Sequence, residues 1–187
     1  MDIIADYRIS TEIVLNLMDI SKQLKTEASK NNTLYVAQTI EEDESRFQDL
    51  WNLVLNAPYP INARASWVIS VLIENNQKCL EIHHEKFVIN IDLYKHRSVL
   101  RNMLKVISLI NVPQIHHGII YDRCINFLTD GFMPVAVKVY SMDILYKIAH
   151  GIPELQDELI LIFQNEIDRN SVAFAAKARK LIKKMRK

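Results

Sequence analysis

The sequence has few of the residues that make tight turns and phosphate-binding loops. Its 187 residues include only three glycines, five prolines and two cysteines. An all-β fold needs many more turn residues, and three glycines cannot build a glycine-rich phosphate loop. Two thiols do not make a disulfide framework, so we expect Cys79 and Cys124 to be buried. This composition favours long helices with short connections.

Long apolar runs and a large net charge are also absent. No run of 18 apolar residues occurs, so the sequence predicts no membrane span. The first ten residues lack the basic and apolar regions of a secretory signal, and we therefore expect a cytoplasmic protein that does not contact a membrane. The formal net charge is +1, which gives no global attraction to nucleic acid.

The charge is nevertheless unevenly distributed. Residues 1–60 carry five Lys/Arg and ten Asp/Glu, whereas residues 170–187 carry seven Lys/Arg and no acid. A last helix with a solvated face explains the basic end, because cations suit the negative end of a helix dipole. An acidic partner or nucleic acid explains it as well.

The sequence contains none of the catalytic signatures that we sought. There is no Cys-x-x-Cys pair and no Gly-x-Ser-x-Gly elbow, and Val88 stands where a zinc-protease motif starting at His84 needs its second histidine. An enzyme site assembled from dispersed residues such as His84, His117 and Asp122 stays open, although no pattern supports it. The absence of these signatures favours a protein without enzymatic activity, and we expect no cofactor.

Apolar periodicity predicts helices along nearly the whole chain, most clearly over residues 134–151. Pro134 suits a first helical turn, and Gly151 suits the left-handed position after a helix. Val137, Ile144 and Ile148 lie on one face between them. The helix over residues 61–75 is apolar on most sides, so we expect neighbours to bury it. Similar patterns predict the other helices, over residues 10–29, 33–40, 43–56, 78–92, 96–110, 113–130, 153–168 and 171–186.

The predicted helices repeat at a step of 37 residues. This step relates Arg64, Arg101, Lys138 and Ala175, each in the second helix of a predicted pair. In a helix, the position one before a residue lies on the same face as the positions three, six and seven after it. The step of 37 residues therefore predicts that this face packs in every helix pair. Four columns result: Ala63, Leu100, Val137, Phe174; Trp67, Leu104, Ser141, Ala178; Ser70, Ile107, Ile144, Leu181; and Val71, Ser108, Leu145, Ile182. Stacked copies can bury such faces, which a single pair cannot.

These second helices resemble the HEAT and armadillo-like helical repeats. The residues that carry the resemblance lie at 60–73, 97–110, 134–148 and 171–185. Arg64, Arg101 and Lys138 are basic at equivalent positions, but the fourth equivalent residue, Ala175, is not. The resemblance implies an all-α, right-handed alpha-alpha superhelix of stacked antiparallel helix pairs, with about nine to ten helices. We expect one domain over residues 1–187, with capping helices in 1–40 and about four pairs in 43–187. An irregular helical bundle with accidental periodicity is the alternative.

The same resemblance places the second helices on a concave surface that binds a partner. The residues that would form this surface are Arg101, Lys105, Lys138, Tyr146, Lys147, Arg179, Lys180 and Lys183. They would suit an acidic peptide or a phosphate backbone. Alternatively, the cations pair with carboxylates of the adjacent repeat. The function that follows is a non-enzymatic scaffold for an unidentified protein partner.

Nucleic-acid binding is the second functional hypothesis. Some HEAT-like proteins of similar size are glycosylases for alkylated DNA, and that resemblance implies a basic concave face with a Trp and an Asp near the lesion. No such Trp–Asp pair can be matched in this sequence. Exposed aromatic rings would stack on bases, but the aromatic residues fall mostly at core spacing.

Two pairs of histidines form a candidate metal site. They are His83, His84, His116 and His117, which occur at the same phase in consecutive first helices. Imidazole is a common metal ligand, but a site needs further converging ligands such as Cys79 or Cys124. The interpretation that we favour is that these side chains form hydrogen bonds to neighbouring turns.

Overall fold

A computed structural model of the protein describes residues 19–40, 43–76 and 80–186. The chain divides into two compact units, Met1–Cys79 and Leu80–Lys187. All regular structure within the described ranges is helical, which confirms the all-α prediction. Residues 10–18 of the first predicted helix, and Cys79, lie outside these ranges.

The described part of the N-terminal unit contains two helix pairs. Its helices are α1 (Ile20–Thr26), α2 (Lys30–Ile40), α3 (Glu44–Asn56) and α4 (Ile61–Asn75). The carboxylates of Asp19 and Asp43 accept backbone N–H groups in the first turns of α1 and α3, as N-caps do. Helix α4 packs against the other three helices of its unit and buries nine of its residues. Its predicted burial is therefore confirmed.

The C-terminal unit contains three further pairs, in which α5 packs on α6, α7 on α8 and α9 on α10. The second helices also pack in succession, α6 against α8 and α8 against α10. Gly151 has φ +81°, which confirms its predicted left-handed position after α8. The six helices are α5 (His84–Ile89), α6 (Arg97–Leu109), α7 (His117–Thr129), α8 (Val135–Ile148), α9 (Pro153–Ile167) and α10 (Val172–Met185).

The prediction of one continuous helix over residues 78–92 is wrong. The α-helical part is only α5, between short 3₁₀ segments at Glu81–His83 and Ile91–Leu93. Leu80 adopts a left-handed conformation with φ 62°, which a helix interior excludes. At the other end, the Asn90 side chain donates to the Lys86 carbonyl and the Tyr94 hydroxyl donates to the Phe87 carbonyl. These two bonds satisfy carbonyls that a longer helix would have used.

The residues that the 37-residue step relates are packed in the structure. Of the sixteen residues in the four predicted columns, fourteen are buried, and Ala63 and Trp67 are half-buried. Residues one step apart also meet directly: the Lys147 side chain donates from Nζ to the Ile110 backbone carbonyl oxygen at 3.4 Å. Because Ile110 and Lys147 occupy equivalent ends of α6 and α8, these helices run parallel and bring their C-terminal turns to one edge.

Lys138 of α8 is part of the core of the C-terminal unit. Its side chain is 3% exposed, and Nζ donates to Asn170 Oδ1 at 2.8 Å and lies 5.9 Å from the centroid of the Phe174 ring. Asn170 is held in turn by donating to the Glu166 carbonyl and carboxylate. The buried ammonium thus fastens α8 to the turn between α9 and α10.

We predict that Lys138→Ala lowers the free energy of unfolding by about 2 kcal/mol, because a hydrogen bond from a charged donor contributes about 1.5–3 kcal/mol. Urea denaturation followed by circular dichroism measures this change. The control is Lys180→Ala on the exposed side of α10, for which we expect a change within about 0.5 kcal/mol. A Lys138→Ala protein as stable as the wild type would contradict the structural role of Lys138.

Candidate functional site

The C-terminal ends of α6 and α8 enclose a cavity of about 560 Å³. This volume lies within the range of about 300–1,000 Å³ that is usual for ligand pockets. Its aliphatic lining consists of Ile107, Ile110, Val112, Ile144 and Ile148. Its polar lining consists of Asn111, His117, Tyr146, Lys147 and His150. The lining therefore combines apolar walls with a rim that carries no Asp or Glu.

The connection between α6 and α7 shapes one side of this cavity. Ile110 leaves the helix in an extended conformation, and Pro113 then precedes a 3₁₀ turn at Gln114–His116. Proline disfavours helix for the residue before it, so the chain cannot continue α6 through Val112. The His117 ring lies close to this connection, since its Nε2 is 3.0 Å from the Val112 carbonyl oxygen.

Lys147 and Tyr146 form the rim on the side of α8. Desolvation of the Lys147 ammonium lowers its pKa, and the charge of Asp143 partly opposes that shift. The Tyr146 ring has two neighbours: the His150 ring with centroids 6.3 Å apart, and Lys184 Nζ at 5.6 Å from its centroid. The Lys184 contact extends the positive rim from α8 to α10.

Four exposed cations lie in the second half of α10, and a fifth, Arg186, follows directly after the helix. Among the residues that the structure describes, no Asp or Glu forms an ion pair with them. Lys177 on the same helix differs, because its Nζ lies 2.5 Å from the Asp143 carboxylate. The five residues are Arg179, Lys180, Lys183, Lys184 and Arg186. Three of them, Arg179, Lys183 and Arg186, line a second cavity of about 520 Å³ between α9 and α10.

The predicted surface residues have different environments. Tyr146, Lys147, Arg179, Lys180 and Lys183 all lie in the C-terminal halves of α8 and α10. Arg101 on α6 is exposed and donates to the side chain of its neighbour Asn102, and Lys105 is half-buried. Lys138 lies in the core, so we leave it out of the surface proposed below.

Arg64 also has a structural contact. Its guanidinium donates to the Leu24 carbonyl at 2.5 Å, at the end of α1. Lys184 was not among the predicted surface residues, although it lies one 37-residue step after Lys147. Applying the step to the end of α8 as well as to its start would have found it.

The four predicted histidines do not gather around one point. His83 is buried, and His116 Nε2 lies 2.7 Å from the Glu85 carboxylate. Residues 19–40, 43–76 and 80–186 contain no group of three or more His, Cys, Asp or Glu side chains that could hold a metal ion. In the same ranges, no helix has the length and apolar character needed to cross a membrane.

We predict that the Lys147 amine titrates below the usual value of 10.5, because its charged form is partly desolvated in the folded protein. The unfolded chain then binds more protons between the two pKa values, so stability rises with pH in that interval relative to a Lys147→Met variant. A ¹³Cε NMR titration of the lysines measures the pKa directly. Asp143→Asn should lower the pKa further, and a pKa at or above 10.5 in the wild type would contradict this description of the rim.

Comparison with known proteins gives one match. Residues 20–185 match the family profile of the HEAT repeat domain. Neither a curated protein nor a solved structure matches the chain significantly. The matched region covers most of the 187 residues and spans every helix described above. The chain therefore belongs to the HEAT repeat domain family.

Proposed function

We propose that this HEAT repeat protein is a non-enzymatic scaffold that binds another protein through the C-terminal halves of α8 and α10. We call this region the basic surface, and it comprises Tyr146, Lys147, Arg179, Lys180, Lys183 and Lys184. The observation that carries the proposal is a row of exposed cations on α10, without carboxylate partners in the described part of the chain, beside an apolar cavity. We also expect the protein to act in the cytoplasm.

The charge distribution supports this surface over the rest of the C-terminal unit. Two other exposed arginines of that unit have acidic neighbours: Arg123 forms two contacts with the Asp92 carboxylate, at 2.8 and 2.9 Å, and Arg169 lies 3.7 Å from the Glu166 carboxylate. Opposite charges on a partner would attract the five exposed cations at the end of α10, which form no ion pair in the described structure. In HEAT-like repeats the second helices line the concave surface, and this resemblance supports the same region.

The test compares proteins that are retained from an extract of the source organism on immobilised variants. Lys183→Glu combined with Lys184→Glu reverses two charges of the basic surface. Lys30→Glu combined with Lys95→Glu changes the net charge equally at exposed sites outside it. We expect quantitative mass spectrometry to show a reproducible protein that the wild type and the control pair retain, and that the Lys183/Lys184 pair loses by about tenfold.

Nucleic-acid binding is the second candidate, because phosphates attract the same five cations at the end of α10. Nuclease treatment of the extract separates the two candidates. Retention of the protein after nuclease supports the scaffold, whereas loss of all retained protein after nuclease supports nucleic acid. A wild-type column that retains nothing above empty beads, or retention that is equal for all variants, would contradict the basic surface as a protein-binding site.

A further inference from the structure

We propose that the cavity between α6 and α8 receives one aliphatic or aromatic side chain of a partner segment, and that Lys147 and Lys184 bind acidic residues next to it in that segment. This inference rests on the proposed function and specifies the chemistry of the partner. It predicts a short acidic stretch with a single apolar anchor.

The walls of the cavity select an apolar group. Ile107, Ile144 and Ile148 are almost completely buried beside the space of about 560 Å³, so the aliphatic surface open to a ligand comes mainly from the half-buried Val112. Burying an apolar side chain there removes its surface from water, which favours binding. The walls offer no carboxylate to a cation and few partners to a polar group.

The rim selects a negative charge next to that apolar group. Within the described ranges, Lys147 forms no ion pair, although the charge of Asp143 acts on it, and its hydrogen bond to the Ile110 carbonyl oxygen is long, at 3.4 Å; a carboxylate would give it a stronger, charge-assisted partner. His117 and His150 complete a rim without acidic side chains. An acidic group is therefore complementary to this mouth, and a basic group is not.

The surroundings favour a polypeptide segment over a small acid. Lys184 stands over the Tyr146 ring, so positive charge continues from the mouth towards α10. In the other direction, the connection that lines the cavity is followed by Ile115, which is 83% exposed. A ligand that uses both the cavity and these flanks must extend beyond the cavity, as a peptide does.

The test begins with selection of random dodecapeptides displayed on phage against the whole chain. We expect the selected peptides to share an apolar residue followed within a few positions by Asp or Glu. A selected peptide is then synthesised, and its affinity is measured by fluorescence polarisation. Asn111→Trp places a large ring at the mouth from an exposed position, and Lys147→Glu reverses the charge of the rim. We expect each substitution to weaken binding at least about tenfold, and Lys147→Glu to select peptides with basic residues instead.

Matched control variants separate the effect of a change at the cavity from the effect of the same change elsewhere on the protein. Asn126→Trp adds the same ring at an exposed position of α7 outside the cavity, and Lys95→Glu reverses an exposed charge before α6. Both should bind the peptide within about twofold of the wild type. Selected peptides without acidic residues, or peptide affinity unchanged in Asn111→Trp and Lys147→Glu, would overturn the inference.

The two proposals can fail separately. If a protein from the extract is retained by the wild type and equally by Asn111→Trp and Lys147→Glu, the scaffold function stands and the cavity is not its docking site. If the wild type retains no protein, the scaffold function fails, while the peptide measurements still decide what the cavity binds.

Discussion

Apolar burial between parallel second helices is the constraint on which the C-terminal unit depends. Each second helix has one apolar face for its own pair and contacts the next second helix along its flank, so no pair can bury its apolar surface alone. The equivalent residues Ile107, Ile144 and Leu181 are all buried as a result. Because the helices are parallel and in register, their C-terminal turns share one edge, where the cavity and the basic rim lie.

The position of a lysine along its helix decides what its charge does. Lys138, in the first turn of α8, is held in the core by Asn170 and the Phe174 ring. Lys147, at the other end of the same helix, stays at the edge with a partly desolvated ammonium, and Lys184 stands one repeat further on. Lysine side chains therefore stabilise helix packing near the start of α8 and form an exposed positive surface at the ends of α8 and α10.

Periodicity predicted much of this arrangement, because burial follows helical spacing. The step of 37 residues identified the second helices, fourteen of the sixteen positions that it singled out are buried, and Gly151 marked the end of α8. The sequence could not show that the region before α6 breaks into 3₁₀ turns, since a left-handed Leu80 has no signature comparable to glycine. Nor could it show that Lys138 turns inward, because that depends on an acceptor 32 residues away. The cavity depends on the backbone path from Ile110 to Pro113, which periodicity does not determine.

We propose that the edge formed by the ends of the second helices is the surface that recognises a partner. Hydrogen–deuterium exchange of the whole chain, with and without a selected acidic peptide, tests it most directly. With the peptide bound, we predict slower amide exchange at the ends of α6 and α8, in the connection that follows Ile110, and in the last turns of α10. Protection confined to the N-terminal unit, or to the first helices α7 and α9, would contradict it.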